Sequence, residues 1–188
     1  MGLVLAFSGA IGTSRSEVSQ LVANRLGWPR VKFADYIRDL ARESGENPQD
    51  RMVLQKLGQA LVIDDVDGFV EKVLARADWQ ENGNLIVDGL RHAEVRHSLA
   101  QKVAPNTLRV VHITLDEDTR QDRATRDKGI EQRLLARFDQ DLTEAQIPKI
   151  LPAYADLILD GTLPRQILAE KVIMRFVPSN DRGVAAAG

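Results

Sequence analysis

Short apolar runs alternate with longer amphipathic stretches along the chain. Runs dominated by apolar residues predict strands at 3–7, 31–33, 85–87, 110–115 and 157–159. Between them, apolar positions recur at helical spacing and predict helices at 16–26, 35–44, 48–62, 66–78, 92–103, 117–128, 130–138, 143–151 and 164–175. The strand runs are mostly continuous, as in strands buried on both faces. Repeated strand–helix order therefore predicts an α/β fold with a mostly parallel sheet covered by helices on both sides.

The pattern indicates one domain. The chain has 188 residues, which is enough to bury a core without a disulfide or a structural metal. There is no repeat of 20 to 50 residues and no stretch that resembles an interdomain linker. We expect a single domain over residues 1–177 and a flexible tail over 178–188, because that tail has no periodic apolar face.

Composition narrows the class of protein. The 25 basic and 27 acidic residues nearly balance, which argues against a general nucleic-acid or membrane-surface binder. The absence of cysteine excludes a disulfide framework, a thiol nucleophile and a cysteine-ligated zinc site. The first residues lack a basic segment, and their apolar run is too short for a signal peptide. We expect a cytoplasmic protein that binds neither nucleic acid nor membranes.

A glycine-containing loop joins the first predicted strand to the first helix. It reads Ser8-Gly9-Ala10-Ile11-Gly12-Thr13-Ser14-Arg15-Ser16. The P-loop pattern is Gly, four residues, then Gly-Lys-Ser/Thr, and Gly9 and Ser16 stand at its two ends. Ser14 replaces the second Gly and Arg15 replaces the Lys. The loop therefore indicates either a phosphate cradle, formed by backbone amides and a helix N-terminus, or a plain strand-to-helix turn.

Four later segments add to this loop. They are FADYIR at 33–38, VDGLR at 87–91, DEDTRQDRATR at 116–126 and ADLILD at 155–160. Together with the loop, they make residues 3–175 resemble the P-loop nucleotide kinases. The likeness is to the adenylate-kinase and dephospho-CoA-kinase-like group, often labelled AAA-family ATPases of unassigned substrate. The resemblance implies a three-layer α/β/α fold with five parallel strands in the order 2-3-1-4-5.

The resemblance also implies where ATP and Mg²⁺ would bind. The phosphates of ATP would lie on residues 9–16, namely Gly9, Ala10, Ile11, Gly12, Thr13, Ser14, Arg15 and Ser16. Arg15 would contact the β- and γ-phosphates, and Ser16 would place its hydroxyl on Mg²⁺. Asp88 would act in catalysis by holding Mg²⁺ through water or by orienting the acceptor. Each residue also has a structural interpretation. Ser16 fits a helix cap, Arg15 a solvated first-turn residue, and Asp88 a cap for the helix that begins near His92.

For the acceptor, the resemblance implies a pocket formed by Asp35, Arg38 and Arg91, walled by the mostly helical segment 45–80. Arg38 and Arg91 would pair with the anionic group of the acceptor. Surface ion pairs are the alternative for these arginines. An N-cap is the alternative for Asp35.

A further group of arginines lies in the segment 116–140, which resembles a lid. Arg120, Arg123 and Arg126 recur at i, i+3 and i+6, which places them on one broad side of a helix. Arg120 would contact ATP, and Arg123 and Arg126 would stabilise the transition state. A solvated helix with internal salt bridges is the alternative, because Asp122 precedes Arg126 by four residues.

The function implied by the resemblance is ATP-dependent phosphoryl transfer to a small phosphorylated acceptor, such as a nucleoside monophosphate or a dephospho-CoA-like compound. Phosphoryl transfer needs a phosphate cradle, a metal and several cations. Ser14 and Arg15 support a different hypothesis, a nucleotide-binding protein that has the kinase fold and little or no turnover. His112 lies inside a predicted strand and is interpreted as a core residue, and no task is assigned to Arg30.

Overall fold

A five-stranded parallel sheet, in the order β2-β3-β1-β4-β5, forms the middle layer of the computed structural model. Its strands are β1 (Leu3–Ser8), β2 (Arg30–Lys32), β3 (Leu85–Leu90), β4 (Thr107–Thr114) and β5 (Leu157–Asp160). The structure describes residues 1–179. The predicted parallel sheet and its strand order are confirmed.

Alternate residues of β1 enter two different cores. Val4 and Ala6 pack on one face of the sheet, whereas Leu5 and Phe7 pack on the other. All four side chains are fully buried. Because successive strand residues point to opposite faces, a strand covered on both sides has to be apolar throughout, which explains the continuous runs in the sequence.

Helices cover both faces of the sheet. They are α1 (Arg15–Leu26), α2 (Phe33–Glu43), α3 (Arg51–Leu74), α4 (Ala93–Lys102), α5 (Glu117–Lys128), α6 (Gln132–Asp139), α7 (Leu142–Lys149) and α8 (Arg165–Phe176), with a 3₁₀ turn at Leu151–Tyr154. Val22 of α1 and Leu168 of α8 belong to one core, and Phe69 of α3 and Leu99 of α4 belong to the other. The predicted three-layer arrangement is confirmed.

Helix α3 is interrupted where the sequence predicts it. The helices predicted at 48–62 and 66–78 correspond to the two halves of Arg51–Leu74, which meet at Asp65. The backbone leaves helical geometry only at Asp65, which has φ −159° and ψ 80°. The Asp65 carboxylate accepts a hydrogen bond from the Gly68 amide at 2.8 Å. This side chain caps the second half of α3 at the position where the sequence predicts a new helix to begin.

A small third core connects the loop after β1 to the predicted lid segment. Ile11 of the loop packs with Ala124 of α5 and with Leu135 and Phe138 of α6. The loop is therefore supported by α5 and α6 as well as by the sheet.

Two further predictions concern the C-terminal tail and membranes. Most of the predicted tail lies outside the described residues, since only Pro178 and Ser179 of it are described. Within residues 1–179, no helix combines the length and apolar character needed to cross a bilayer.

Candidate active site

The loop after β1 depends on two glycines. Gly9 and Gly12 have φ values of 151° and 94°. A Cβ on Gly9 would lie 2.7 Å from Thr13 Oγ1, and a Cβ on Gly12 would lie 2.5 Å from the backbone oxygen of Arg120. Any larger residue at these positions would displace the loop from its own turn or from α5.

Ser14 precedes α1 in the left-handed conformation, with φ 61° and ψ 19°. This conformation costs a residue with a Cβ about 1–2 kcal/mol. The Ser14 hydroxyl makes no capping bond to the helix, and it accepts a hydrogen bond from Arg165 Nε at 3.2 Å. The first amides of α1 have no acceptor within the helix, so this end is able to receive an anion. The loop therefore fits a phosphate group.

Asp88 of β3 is the centre of the charged network below the loop, and its side chain is 2% exposed. Oδ1 accepts from Arg15 Nε at 2.8 Å, and Oδ2 accepts from Ser16 Oγ at 2.6 Å and Arg30 Nη2 at 2.7 Å. Burial alone raises the pKa of Asp88, but Arg15, Ser16 and Arg30 together hold that pKa below its usual value. Asp88 is therefore an ionised carboxylate with both oxygens engaged in hydrogen bonds. It is not the cap of α4, whose N-cap residue is His92.

Arg30 is absent from the predicted site residues, yet its side chain is 8% exposed and reaches the centre of the site. Besides Asp88, Arg30 Nη2 contacts the Ser16 carbonyl oxygen and Ser19 Oγ, both at 2.9 Å. A buried carboxylate requires partners, and β2 is the neighbour of β3 in the sheet. The one sequence signal that could have indicated Arg30 is its position directly before the second predicted strand.

Ser16 and Asp88 have the oxygen chemistry that Mg²⁺ takes. The arrangement around Asp88 does not fit a divalent cation, because two guanidinium groups already neutralise this carboxylate and occupy its oxygens. The metal roles of Ser16 and Asp88 stay predictions.

A cavity of about 220 Å³ extends from the loop between the sheet and helices α2 and α3. Five cationic side chains line it, from Arg15, Lys32, Arg38, Arg51 and Arg91. The lining residues include one carboxylate, Asp88, and an apolar wall of Ile37, Leu54, Val62, Phe69 and Val95. The cavity is suited to a molecule with an apolar or planar body and a strongly anionic group.

Of the three predicted acceptor residues, the structure brings Arg38 and Arg91 to the cavity and leaves Asp35 outside its lining. Asp35 is exposed and accepts a hydrogen bond from Arg38 at 2.8 Å. It is the third residue of α2, whose N-cap is Lys32, so the alternative of an N-cap does not describe it. The acceptor roles of these residues stay predictions.

Arg51 and Glu144 are further site residues that the sequence prediction lacks. Glu144 of α7 is 3% exposed, and its Oε1 accepts from Arg51 Nη2 at 2.5 Å and also pairs with Arg91. Burial, followed by the nearby charge of Arg15, lowers the pKa of Arg51 to about 10. Arg51 lies within the predicted acceptor-side segment 45–80, but nothing in its spacing connects it to a residue of α7.

Arg120 of α5 supports the loop. Its side chain is 6% exposed and donates to the carboxylates of Glu117 and Asp139, at 2.7 and 2.5 Å from Nη2. Arg120 Nη1 also donates to the Ile11 carbonyl oxygen at 3.2 Å. In this structure Arg120 therefore fastens the loop to α5 and α6, and its contact with ATP stays a prediction.

Arg123 and Arg126 have different surroundings from Arg120. Arg123 Nη1 donates to the Gly161 carbonyl oxygen at 2.7 Å, whereas Arg126 is 71% exposed and pairs with Asp127 at 3.0 Å. Arg120, Arg123 and Arg126 therefore have different partners and do not form one cluster. The transition-state roles of Arg123 and Arg126 stay predictions.

Comparison with known proteins gives one family match in sequence. The family model described as AAA domain matches residues 5–146, which is most of the chain. No curated protein sequence matches the chain significantly.

Solved structures share the fold at low sequence identity. A shikimate kinase from Acinetobacter baumannii in complex with shikimate is 16% identical, with a TM-score of 0.60 over 94% of this chain and 93% of that chain. A gluconokinase from Sinorhizobium meliloti 1021 is 17% identical, with a TM-score of 0.52 over 93% and 97% of the two chains. A sugar kinase from Janibacter sp. HTCC2649 is 16% identical, with a TM-score of 0.55 over 93% of each chain. The three-layer fold is therefore that of the P-loop kinases.

Proposed function

The chain belongs to the AAA domain family, and on this basis we propose that it is an ATP-dependent phosphotransferase that acts on a small phosphorylated acceptor. The observation that carries the proposal is the cavity beside the loop, which is lined by five cationic side chains and by one carboxylate that is already neutralised. Asp35 and Glu144, which are not among the lining residues, pair with three of these cations. A cavity of this charge is matched by an acceptor with a phosphate group.

On the donor side, the phosphates of ATP would bind the loop and the first amides of α1. Arg15 lines the cavity and also contacts the Gly9 carbonyl oxygen at 3.1 Å, so its positive charge lies between the loop and the acceptor pocket. Phosphoryl transfer depends mainly on such positioning and on neutralising the charge of the transferred group. Arg15 is therefore our first candidate for a catalytic residue.

On the acceptor side, the state of Asp88 favours a phosphate oxygen as the nucleophile. A hydroxyl acceptor gains from a general base, and a good base accepts a proton near neutral pH. Asp88 has both oxygens engaged and a lowered pKa, which makes it a poor base. A phosphate oxygen is already anionic, so a nucleoside monophosphate suits this site better than dephospho-CoA, whose reacting group is a hydroxyl.

The segment 116–140 would act as a lid over ATP. Arg120 holds the base of this segment to the loop, and Arg126 is exposed on α5. Closure of the segment would bring Arg123 or Arg126 to the phosphates.

A second function is supported by a specific observation. Ser14 occupies a strained conformation where the P-loop pattern has Gly, and Arg15 is bound to Asp88 instead of being free for a nucleotide. A protein with this loop that binds nucleotides without turnover is the alternative. The two functions differ in whether ADP forms.

The test is an ADP-release assay with MgATP and a panel of AMP, CMP, GMP, UMP, dTMP and dephospho-CoA, with shikimate and gluconate as hydroxyl acceptors. We expect ADP release that depends on a nucleoside monophosphate. ATP-dependent thermal stabilisation with no ADP release from any acceptor would favour the alternative. Activity with hydroxyl acceptors alone would contradict the inference from Asp88.

A further inference from the structure

A second charged cluster lies in the cavity, separate from the Asp88 network. It consists of Arg51 from α3, Arg91 after β3 and Glu144 from α7. Arg91 is already expected to pair with the anionic group of the acceptor, and we propose that Arg51 joins it in binding the acceptor's phosphate, with Glu144 as the positioning residue that holds both guanidinium groups. The proposal rests on the proposed function, since it names the subsite of the same acceptor.

Glu144 connects the two arginines of the cluster. Its side chain is 3% exposed, and a single oxygen, Oε1, contacts both arginines. Arg51 is fixed from a second side, because its guanidinium lies 5.3 Å from the centre of the Phe138 ring. The two arginines line the cavity in defined orientations, as recognition of a planar or tetrahedral anion requires.

The cluster also has unfilled hydrogen-bonding capacity. Arg51 Nε and Glu144 Oε2 are buried, and neither atom has a hydrogen-bond partner within the part of the chain that the structure describes. A buried donor without an acceptor is unfavourable. An anion would have to displace the neighbours that bury Arg51 Nε to supply this missing acceptor, and Glu144 Oε2, itself an acceptor, would gain no partner from it.

The charge of the cluster favours one kind of anion. One carboxylate pairs with two guanidinium groups, so Arg51, Arg91 and Glu144 together carry a net positive charge. The nearby charges of Arg15 and Arg38 add to it, and those of Asp139 and Asp141 reduce it. Burial is the main cause that lowers the pKa of Arg91, and repulsion from Arg15 and Arg51 lowers it further. A phosphate monoester with nearly two negative charges compensates this excess better than a carboxylate does.

Contacts other than those of Glu144 hold α7 in place, so the Glu144 side chain can be changed without loss of the fold. Ile147 of α7 is 1% exposed in the core, and the Gln146 side chain accepts from the Ala93 amide at 2.8 Å. These contacts keep α7 on the start of α4 when the Glu144 side chain is changed.

The experiment measures acceptor binding and ATP binding separately by titration calorimetry. The variants are Arg51→Met and Glu144→Gln, and the control is Arg42→Met, which removes an exposed arginine of α2 that pairs with Asp39. The acceptor probe is the nucleoside monophosphate that supports turnover. If none supports turnover, the probe is inorganic phosphate added to protein saturated with a non-hydrolysable ATP analogue.

We expect Arg51→Met to weaken acceptor binding at least about tenfold, with less than about a twofold change for the ATP analogue. Glu144→Gln should raise the KM of the acceptor more than it lowers kcat, because it disturbs positioning and not the reacting groups. Arg42→Met should bind both ligands like the wild type.

Two results would overturn the proposal. One is a folded Arg51→Met protein that binds the acceptor as the wild type does. The other is an equal loss of ATP and acceptor binding in both variants, which indicates a purely structural role. If Arg51→Met does not fold, Arg51→Lys replaces it, with weaker acceptor binding still expected because a single ammonium lacks the planar fork. Absence of turnover in the wild type, with phosphate binding that still depends on Arg51, contradicts the kinase proposal alone.

Discussion

Arg15 Nε donates to Asp88 Oδ1 at 2.8 Å, which ties the loop after β1 to the carboxyl end of β3. The same guanidinium donates through Nη1 to the Gly9 carbonyl oxygen at 3.1 Å. A lysine ammonium at this position is a compact charge without the planar fork that makes both contacts. Arginine in this loop is therefore part of the site's architecture, and the interpretation as a solvated first-turn residue does not describe it.

Asp88→Asn should destabilise the protein strongly. The change leaves Arg15 and Arg30 as partly buried cations without their carboxylate, which costs about 3 kcal/mol or more of unfolding free energy. Urea denaturation at neutral pH measures this value. Asp35→Asn is the matched control, and its exposed ion pair with Arg38 should contribute less than about 1 kcal/mol. Equal effects of the two changes would show that Asp88 is not the centre of a buried network.

Gly12→Ala should distort the loop through its contact with α5. The added Cβ would lie 2.5 Å from the Arg120 backbone oxygen at a φ of 94°. We expect a loss of about 2–4 kcal/mol and a smaller thermal stabilisation by ATP. Gly27→Ala is the control, because Gly27 also has a positive φ but open space around its Cβ position, and it should cost only about 1–2 kcal/mol. A Gly12→Ala protein with normal stability and normal ATP response would refute the role assigned to this contact.

The stability should fall as the pH drops from 6.5 towards 4, because of His112. Burial lowers the pKa of His112 from 6.5 to about 4, so the folded state holds the neutral ring while the unfolded chain takes up a proton. The contribution is complete above pH 6.5 and decreases below it, by at most about 3 kcal/mol. His92, whose pKa burial also lowers, acts in the same direction.

His112→Leu should therefore flatten, but not abolish, the pH dependence of unfolding free energy between pH 7 and 4.5. Urea denaturation of both proteins across this range provides the comparison. An identical slope in the two proteins would mean that His112 does not titrate as described.

The fold was predictable because its signals are local. Continuous apolar runs such as 3–7 indicate strands buried on both faces, and the alternation of strands and helices indicates the layers. The interruption of α3 at Asp65 was also predictable, since Asp65 lies in the gap between the helices predicted at 48–62 and 66–78. The hydrogen bond from the Gly68 amide to the Asp65 side chain was not, because apolar spacing does not indicate side-chain contacts. Local pattern thus predicts elements and their boundaries, but not the side-chain contacts that fix them.

The charged site was predictable only in part. Arg15, Ser16 and Asp88 lie in or beside recognisable motifs, and the structure brings them together. Arg30 reaches Asp88 across 58 positions, and Arg51 reaches Glu144 across 93. Such pairs depend on strand register and helix packing, which no local spacing encodes. The site residues that were missing from the prediction, Arg30, Arg51 and Glu144, are therefore those that belong to no sequence motif.

The most direct test of phosphoryl transfer follows the γ-phosphate itself. The wild-type protein is incubated with Mg²⁺, γ-³²P-labelled ATP and the nucleoside monophosphate panel, and the products are separated by chromatography. Arg15→Met serves as the comparison, with a transfer rate lower by about 10² or more. The account predicts label in a nucleoside diphosphate. Label found only in inorganic phosphate, or remaining entirely in ATP while ATP binds, would contradict it.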